Sequence, residues 1–177
     1  MRSLAPPILA FLALSACGGP SRPTPTEAPA LTVAVQPAGV RVGQKLSFNL
    51  DLSGTAQTWN LALFVEDPEG HVAQLLPNRT GDGSEALTGG TPRVFPDSGA
   101  DFFLLAAAPT GTHTVLAYAA PRPLDLSSIS AYASPQDAFA VVNENRQGKG
   151  SLGGSLLAVL RLTNPGVYTL TTFTVAP

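Results

Sequence analysis

Strict alternation of apolar and polar residues constrains this chain more than any other feature. "LTVAVQ" puts Leu31, Val33 and Val35 on one side. "LSFNLDL" points Leu46, Phe48, Leu50 and Leu52 one way and Ser47, Asn49 and Asp51 the other. "WNLALFVE" repeats the pattern with Trp59, Leu61, Leu63 and Val65. A period of two is the signature of strands with one buried face. Asp67-Pro68-Glu69-Gly70 is a turn with Pro preset at its second position, so residues 59 to 76 predict a hairpin.

Further along, Pro77 to Gly90 (PNRTGDGSEALTGG) predicts a long polar loop. "TPRVFP" predicts a short edge strand fenced by prolines. "DFFLLAAA" and "THTVLAYAA" predict two more strands around Pro109-Thr110-Gly111. About seven short strands at this spacing predict a mainly β chain with a β-sandwich-like (Ig-like) domain. The last third predicts one or two short helices. Ser134 reads as an N-cap, with Pro135 at the first helical position and Asp137 in the first turn, opening a helix to about Asn143. Gly148 to Gly154 breaks it, and Ser155 to Leu162 predicts a second helix ended by Asn164-Pro165-Gly166. "VYTLTTFTV" predicts a final strand returning to the sheet, so that residues 31–177 form one domain.

The start of the chain is of another kind. Arg2, then the apolar run Ile8 to Leu14, then Ser15, Ala16 and the only cysteine, Cys17, read as a targeting segment over residues 1–16. The run is shorter than the about 20 residues that span a hydrocarbon core. Leu14-Ser15-Ala16-Cys17 resembles the lipobox of bacterial lipoproteins. The resemblance implies that Cys17 is acylated on sulfur and becomes the mature N-terminus. With no Asp after Cys17, it also implies the outer membrane or cell surface rather than the inner membrane. Two or more acyl chains, at about 0.8 kcal/mol per buried methylene, anchor a protein stably. Residues 17–30 then form an acylated start and a Pro/Thr/Gly-rich tether. In polyproline II, at about 3.1 Å per residue, a dozen residues reach about 40 Å.

Composition narrows the function. Charged residues make up 12% of the chain and the net charge is −2. Without residues 1–16, 9 basic residues stand against 12 acidic ones, a balance of −3. The basic residues never form a run, which argues against nucleic acid as a partner. One cysteine excludes an internal disulfide framework and a Cys-based zinc site.

"VRVGQKLSFNLDLSG", "WNLALFVEDPEGHVAQLLPN" and "FPDSGADFFLLAAAPTGTHTVLAYAAPRP" together resemble a bacterial domain family of unknown function. The resemblance runs from about Val40 to Pro123 and rests on Gly43, Asp67, Gly70, Leu76, Pro77, Asn78 and Gly111. Thr58-Trp59 stands where the family carries Gly-Tyr. Many members are envelope lipoproteins or secreted proteins, and some are fused to caspase-like peptidases or kinases. The matching residues are turn-formers and core residues, so the resemblance implies a scaffold and names no chemistry.

Motifs for catalysis are sparse. A Ser or Cys triad needs a histidine and a carboxylate converging on the nucleophile. The two histidines, His71 and His113, both fall in predicted strands, and no Gly-x-Ser-x-Gly elbow occurs. As a metal pair they supply two ligands where structural zinc wants four. "GDGSEA" (Gly81 to Ala86) neither follows a strand directly nor opens a helix, as the dinucleotide fingerprint requires. "GKGS" (Gly148 to Ser151) lacks the leading glycine of a phosphate loop, since position 143 is Asn. Asn78, Asp82, Ser84 and Glu85 offer oxygens without EF-hand spacing. Trp59, Phe64, Phe102, Phe103 and Tyr118 fit a sandwich core, while Phe64, Phe95 and Phe103 are out of phase with their strands, which leaves a partner-facing aromatic patch as the other reading.

The reading that follows is a non-enzymatic, membrane-anchored envelope lipoprotein without cofactor or metal. Its β domain binds an envelope protein or a cell-wall partner. The expected contact region is the Pro77 to Pro96 loop and its strand edge, with Asn78, Arg79, Asp82, Arg93 and Phe95 as contact residues. The alternatives are a metal-dependent or hydrolase-like envelope enzyme using His71 and His113, and a structural subunit of a surface layer or envelope complex.

Overall fold

The computed structural model describes residues 27–177. The predicted signal, Cys17 and most of the tether lie outside the described residues.

Two sheets face each other. The first is built on β1 (Ala30–Gln36), β3 (Lys45–Ser53) and β7 (Arg93–Phe95) in that order, with β8 (Leu104–Leu105) also paired to β3. The second has the path β10 (Ser130–Ala131), β11 (Val141–Val142), β5 (Val72–Leu76), β4 (Thr58–Glu66), β9 (Gly111–Ala120), β12 (Val167–Ala176) and β2 (Gly39–Arg41). A short β6 (Ala86–Thr88) also pairs with β4. Pairing is antiparallel except between β12 and β2. The chain leaves the first sheet after β1 and enters the second at β2, so the N-terminal strand is split between the two layers. The sheets do not close into a barrel, which fits the expected Ig-like sandwich.

Alternation decides what lies between the layers. Leu31, Val33, Val35, Phe48, Leu50 and Leu52 from the first sheet meet Leu61, Leu63, Val115, Ala117, Phe173 and Val175 from the second. The six from the first sheet, with Leu61 and Leu63, are the inward positions that the period of two predicts.

The structure adds a third layer. Residues 124–163 lie over the outer face of the second sheet. There Ile129, Val142, Leu152, Leu156, Leu157 and Leu160 bury Ala62, Phe64, Leu116 and Tyr118. β4 and β9 are therefore covered on both faces, and Phe64 is fully buried instead of meeting a partner. The covering segment ends in one α-helix, α1 (Leu157–Thr163), entered through a π-helical turn at Leu152–Leu156.

The helix expected at Ser134 to Asn143 does not form. Its cap does form: Asp137 Oδ2 accepts the Ser134 N–H at 2.6 Å and Ser134 Oγ accepts the Gln136 N–H at 3.3 Å. One turn closes and stops, because tertiary pairing claims the next residues. Ala138 O accepts the Arg79 N–H at 2.8 Å, and Val141 pairs with Ala73 of β5. "DFFLLAAA" yields only the two residues of β8, and the polar loop after Pro77 contains β6.

The covering segment is held by polar side chains within its length and where its two ends meet. Glu66, at the end of β4, is buried and accepts the N–H groups of Gly150 and Leu152 and the Ser151 hydroxyl. Where its two ends meet, the Tyr118 hydroxyl donates to Asn164 O, and Asn164 Oδ1 accepts the Asp125 N–H at 3.0 Å. Burial pushes the Tyr118 phenol above its ordinary value, against a smaller opposing effect of Arg161.

Candidate functional site: an apolar cleft beside Asp67 and His71

The turn after β4 is organised by one carboxylate. Asp67 Oδ1 accepts the N–H groups of Glu69 at 2.8 Å and His71 at 2.9 Å, and Oδ2 lies 2.8 Å from His71 Nδ1. Asp and Pro at adjacent positions favour this local closure over continued strand. His71 therefore lies in the turn, just before β5, and not in a strand as expected. Burial raises the Asp67 pKa, but hydrogen bonds from the His71 side chain, from the two backbone N–H groups and the charge of His71 outweigh it. The net result lies below 3.8. The His71 imidazole is raised above 6.5, first by its hydrogen bond to Asp67, then by the charges of Asp67 and Glu69. Asp67, Glu69 and His71 each offer a ligand atom, all within 4.8 Å of one another.

This turn forms the rim of a cleft of about 240 Å³. Its walls include Leu46 and Phe48 of β3, Val65 of β4, Leu75 of β5, Leu104 of β8 and Phe173 of β12. His113 of β9 also lines it, so both histidines belong to one cleft. The second histidine is committed inside the fold. Its Nε2 lies 3.0 Å from Pro109 O, and its ring stacks on Phe173 at 5.0 Å. No hydroxyl or thiol side chain lines this cleft among the described residues. The Asp67–His71 pair thus has no nucleophile beside it there, and its chemistry is that of a hydrogen-bonding, proton-exchanging or metal-ligating pair.

On the far side of Leu46 lies a second, more polar cleft of about 300 Å³, lined by Lys45, Ser47, Asp97 and Phe103 among others. β8 divides the two. Phe103 and Leu105 stand out from this divide, 57% and 49% exposed, with Lys45 Nζ 4.1 Å from the Phe103 ring centre. Lys45 and Asp97 line the second cleft together, and Asp67 lines the first.

The expected contact residues lie elsewhere and bind their own chain. Asn78 Nδ2 donates to Leu75 O at 2.7 Å, and its Oδ1 accepts both the N–H and the hydroxyl of Thr80. The Arg79 guanidinium donates to Ser134 O and Pro135 O and lies 3.6 Å over the Tyr132 ring, fastening the loop to the covering segment. Arg93 donates to Ser84 O, Ala86 O, Asp82 O and Asp82 Oδ1, and Asp82 Oδ2 accepts the Asp97 N–H. Phe95 is fully buried in the main core, so it does not face outward as its phase implied. Of the three out-of-phase phenylalanines, Phe103 alone is exposed.

Sequence reasoning treated Asp67 only as a turn-former and overlooked it as the partner of His71. The four-residue spacing across an Asp-Pro-x-Gly turn was the available signal. Nothing local marks Leu46 and Phe173 as walls of one cleft, since β3 and β12 belong to different sheets.

No curated protein and no solved structure matches the chain. The bounds of the family match nearly coincide with the resemblance read from Val40 to Pro123, and they leave β1, the covering segment and β12 outside. Residues 39–123, which run from β2 through β9, are similar to the family described as Domain of unknown function (DUF4384).

Proposed function

We propose that this chain is a non-enzymatic, lipid-anchored protein of the bacterial cell envelope. In this reading its β domain binds an extended segment of another envelope protein across the two clefts. One observation carries the reading: an apolar recess of side-chain size is lined by the exposed Leu105, and the exposed Phe103 lines the cleft next to it. A site that encloses a drug-sized ligand occupies about 300–1,000 Å³, and the Asp67–His71 cleft falls below that range at about 240 Å³. It suits one or two side chains of a peptide. Asp67 with Glu69 beside the apolar cleft favours a segment that carries a basic residue next to an apolar one. The tether and Leu14-Ser15-Ala16-Cys17 support the membrane anchor, and outer membrane or cell surface is the location proposed.

The test is photo-crosslinking in cells from position 105, with mass spectrometry of the adducts. The expected result is a discrete envelope-protein adduct that disappears when Ala73→Trp fills the cleft. Adducts that persist unchanged in the filled variant overturn the assignment. A Cys17→Ser chain that stays in the membrane fraction overturns the anchor.

A second reading, a metal-dependent envelope enzyme, is favoured by the three ligand atoms of Asp67, Glu69 and His71 at the mouth of the cleft that His113 lines. Calorimetric titration with zinc separates the two readings. Stoichiometric binding lost in His71→Ala would support the enzyme.

A further inference from the structure

The edges of the two sheets differ in a way the binding cleft does not use. β7 is three residues long and flanked by Pro92 and Pro96, β2 is three residues with Pro37 just before it, and β8 and β10 are two residues each. Short length and proline are the devices that keep sheet edges from pairing with other chains. The β7 edge, where a partner strand was expected from sequence, is blunted in both ways.

β1 has none of these devices. Its seven residues run in unbroken antiparallel register with β3, from Ala30 opposite Ser53 to Gln36 opposite Ser47. Within Ala30–Gln36 there is no proline, no charge and no bulge. Among the described residues no strand pairs with its other side. Its outward side chains are Ala30, Thr32, Ala34 and Gln36, all exposed and uncharged.

We propose that β1 pairs along this open edge with β1 of a second copy of the chain. The two strands run antiparallel about a two-fold axis and join the first sheets of both copies. The residues select this occupant. A foreign strand is recognised through pockets for its alternate side chains, and Ala, Thr and Ala build none. Identical strands need only backbone hydrogen bonds and no like charges across the seam, which this edge provides. Register is also restricted. Leu31, Val33 and Val35 must remain on the core side in both copies, so Thr32 falls opposite Thr32 or Ala34 of the other copy, or two residues further on. One strand pair buries well under the about 1,000 Å² of a stable interface, so the dimer is weak, with a dissociation constant on the order of 100 µM. Confinement of anchored copies to a membrane raises their effective concentration. The pairing itself depends only on the fold, so it stands or falls apart from the proposed anchor and peptide cleft.

The experiment uses the purified full chain without vesicles or partner. Sedimentation equilibrium is combined with amide hydrogen exchange at about 10 µM and about 1 mM, concentrations that bracket the expected midpoint. The expected result is a shift from monomer to dimer, with β1 amides exchanging at least about fivefold more slowly at the higher concentration and β12 amides unchanged. Thr32→Lys, at an exposed position, abolishes both effects by placing like charges at the seam. Mixing Thr32→Lys with Thr32→Glu chains restores them, which also shows that both variants are folded. Exchange at β1 that is independent of concentration, or a Thr32→Lys chain that dimerises like the original, overturns the proposal.

Discussion

Glu66 offers the sharpest test of how the third layer is held. Its carboxylate is buried and accepts three hydrogen bonds, from the Gly150 and Leu152 N–H groups and the Ser151 hydroxyl. Hydrogen bonds to a charged group contribute about 1.5–3 kcal/mol each, and a buried N–H left without an acceptor costs about 1–3 kcal/mol. Glu66→Gln keeps the shape, but only one of its two terminal atoms can accept. The Gly150 N–H can keep its acceptor, the Ser151 hydroxyl can rotate, and the Leu152 N–H then meets an NH₂ group. Removing a buried charge recovers some desolvation, which offsets part of the loss. The net destabilisation expected is about 2–4 kcal/mol. At about 2–4 °C per kcal/mol for a chain of this size, the melting temperature falls by about 4–16 °C. Thermal unfolding by circular dichroism measures the total. Hydrogen exchange measures the location, with amides of residues 148–160 exchanging faster while those of β1 and β3 follow only the global change. A melting temperature within about 2 °C of the original, with unchanged exchange at residues 148–160, would refute the argument that Glu66 fastens this layer.

Other outcomes follow from the same geometry. The His71 imidazole titrates above 6.5, so its contact with Asp67 stabilises the fold fully below 6.5 and is lost as pH rises through the raised value. Asp67 lies below 3.8, so its share is present above 3.8 and fades as pH falls through the lowered value. In Asp67→Asn, proton NMR should show the His71 titration moving down towards 6.5, and an unchanged midpoint would rule out Asp67 as the cause. Gly70 has φ +95°, and a Cβ there would lie 2.6 Å from Gly148 C, so Gly70→Ala is expected to cost more than about 2 kcal/mol in denaturant unfolding. Trp59 Nε1 is buried without a hydrogen-bond partner. Trp59→Phe removes that unpaired donor along with some packing, and the two effects should offset to within about 1.5 kcal/mol.

Much of the sandwich was legible because its strands obey one rule. β1 and β3 each bury one face in the first sheet, so their period of two gave both the elements and the inward residues. The hairpin was legible from Asp67-Pro68-Glu69-Gly70, and β12 from its alternation after Asn164-Pro165-Gly166. The third layer was not. Phe64 breaks phase because β4 is covered twice, and the runs "LALF" and "VLAYAA" carried that information as near-continuous apolar stretches. The helix at Ser134 failed for a different reason. Its cap is a local signal and is present, while the pairing of Val141 with Ala73 is set by residues far away in sequence. The cleft was legible only in part. Asp67 and His71 are near neighbours in sequence, whereas Leu46, Leu104 and Phe173 meet through the sandwich itself.

The position of β12 governs when this fold can close. It is laid between β9 and β2, antiparallel to the first over nine residue pairs and parallel to the second, and it comes later in the chain than every other described strand. Until residues 167–176 are available, β9 has one bare side and β2 has no neighbour in its sheet. A chain delivered N-terminus first, from a ribosome or through an export pore, therefore cannot finish its second sheet piecemeal. Its last ten-residue strand acts as a keystone, and shielding from wrong partners is needed until that strand arrives.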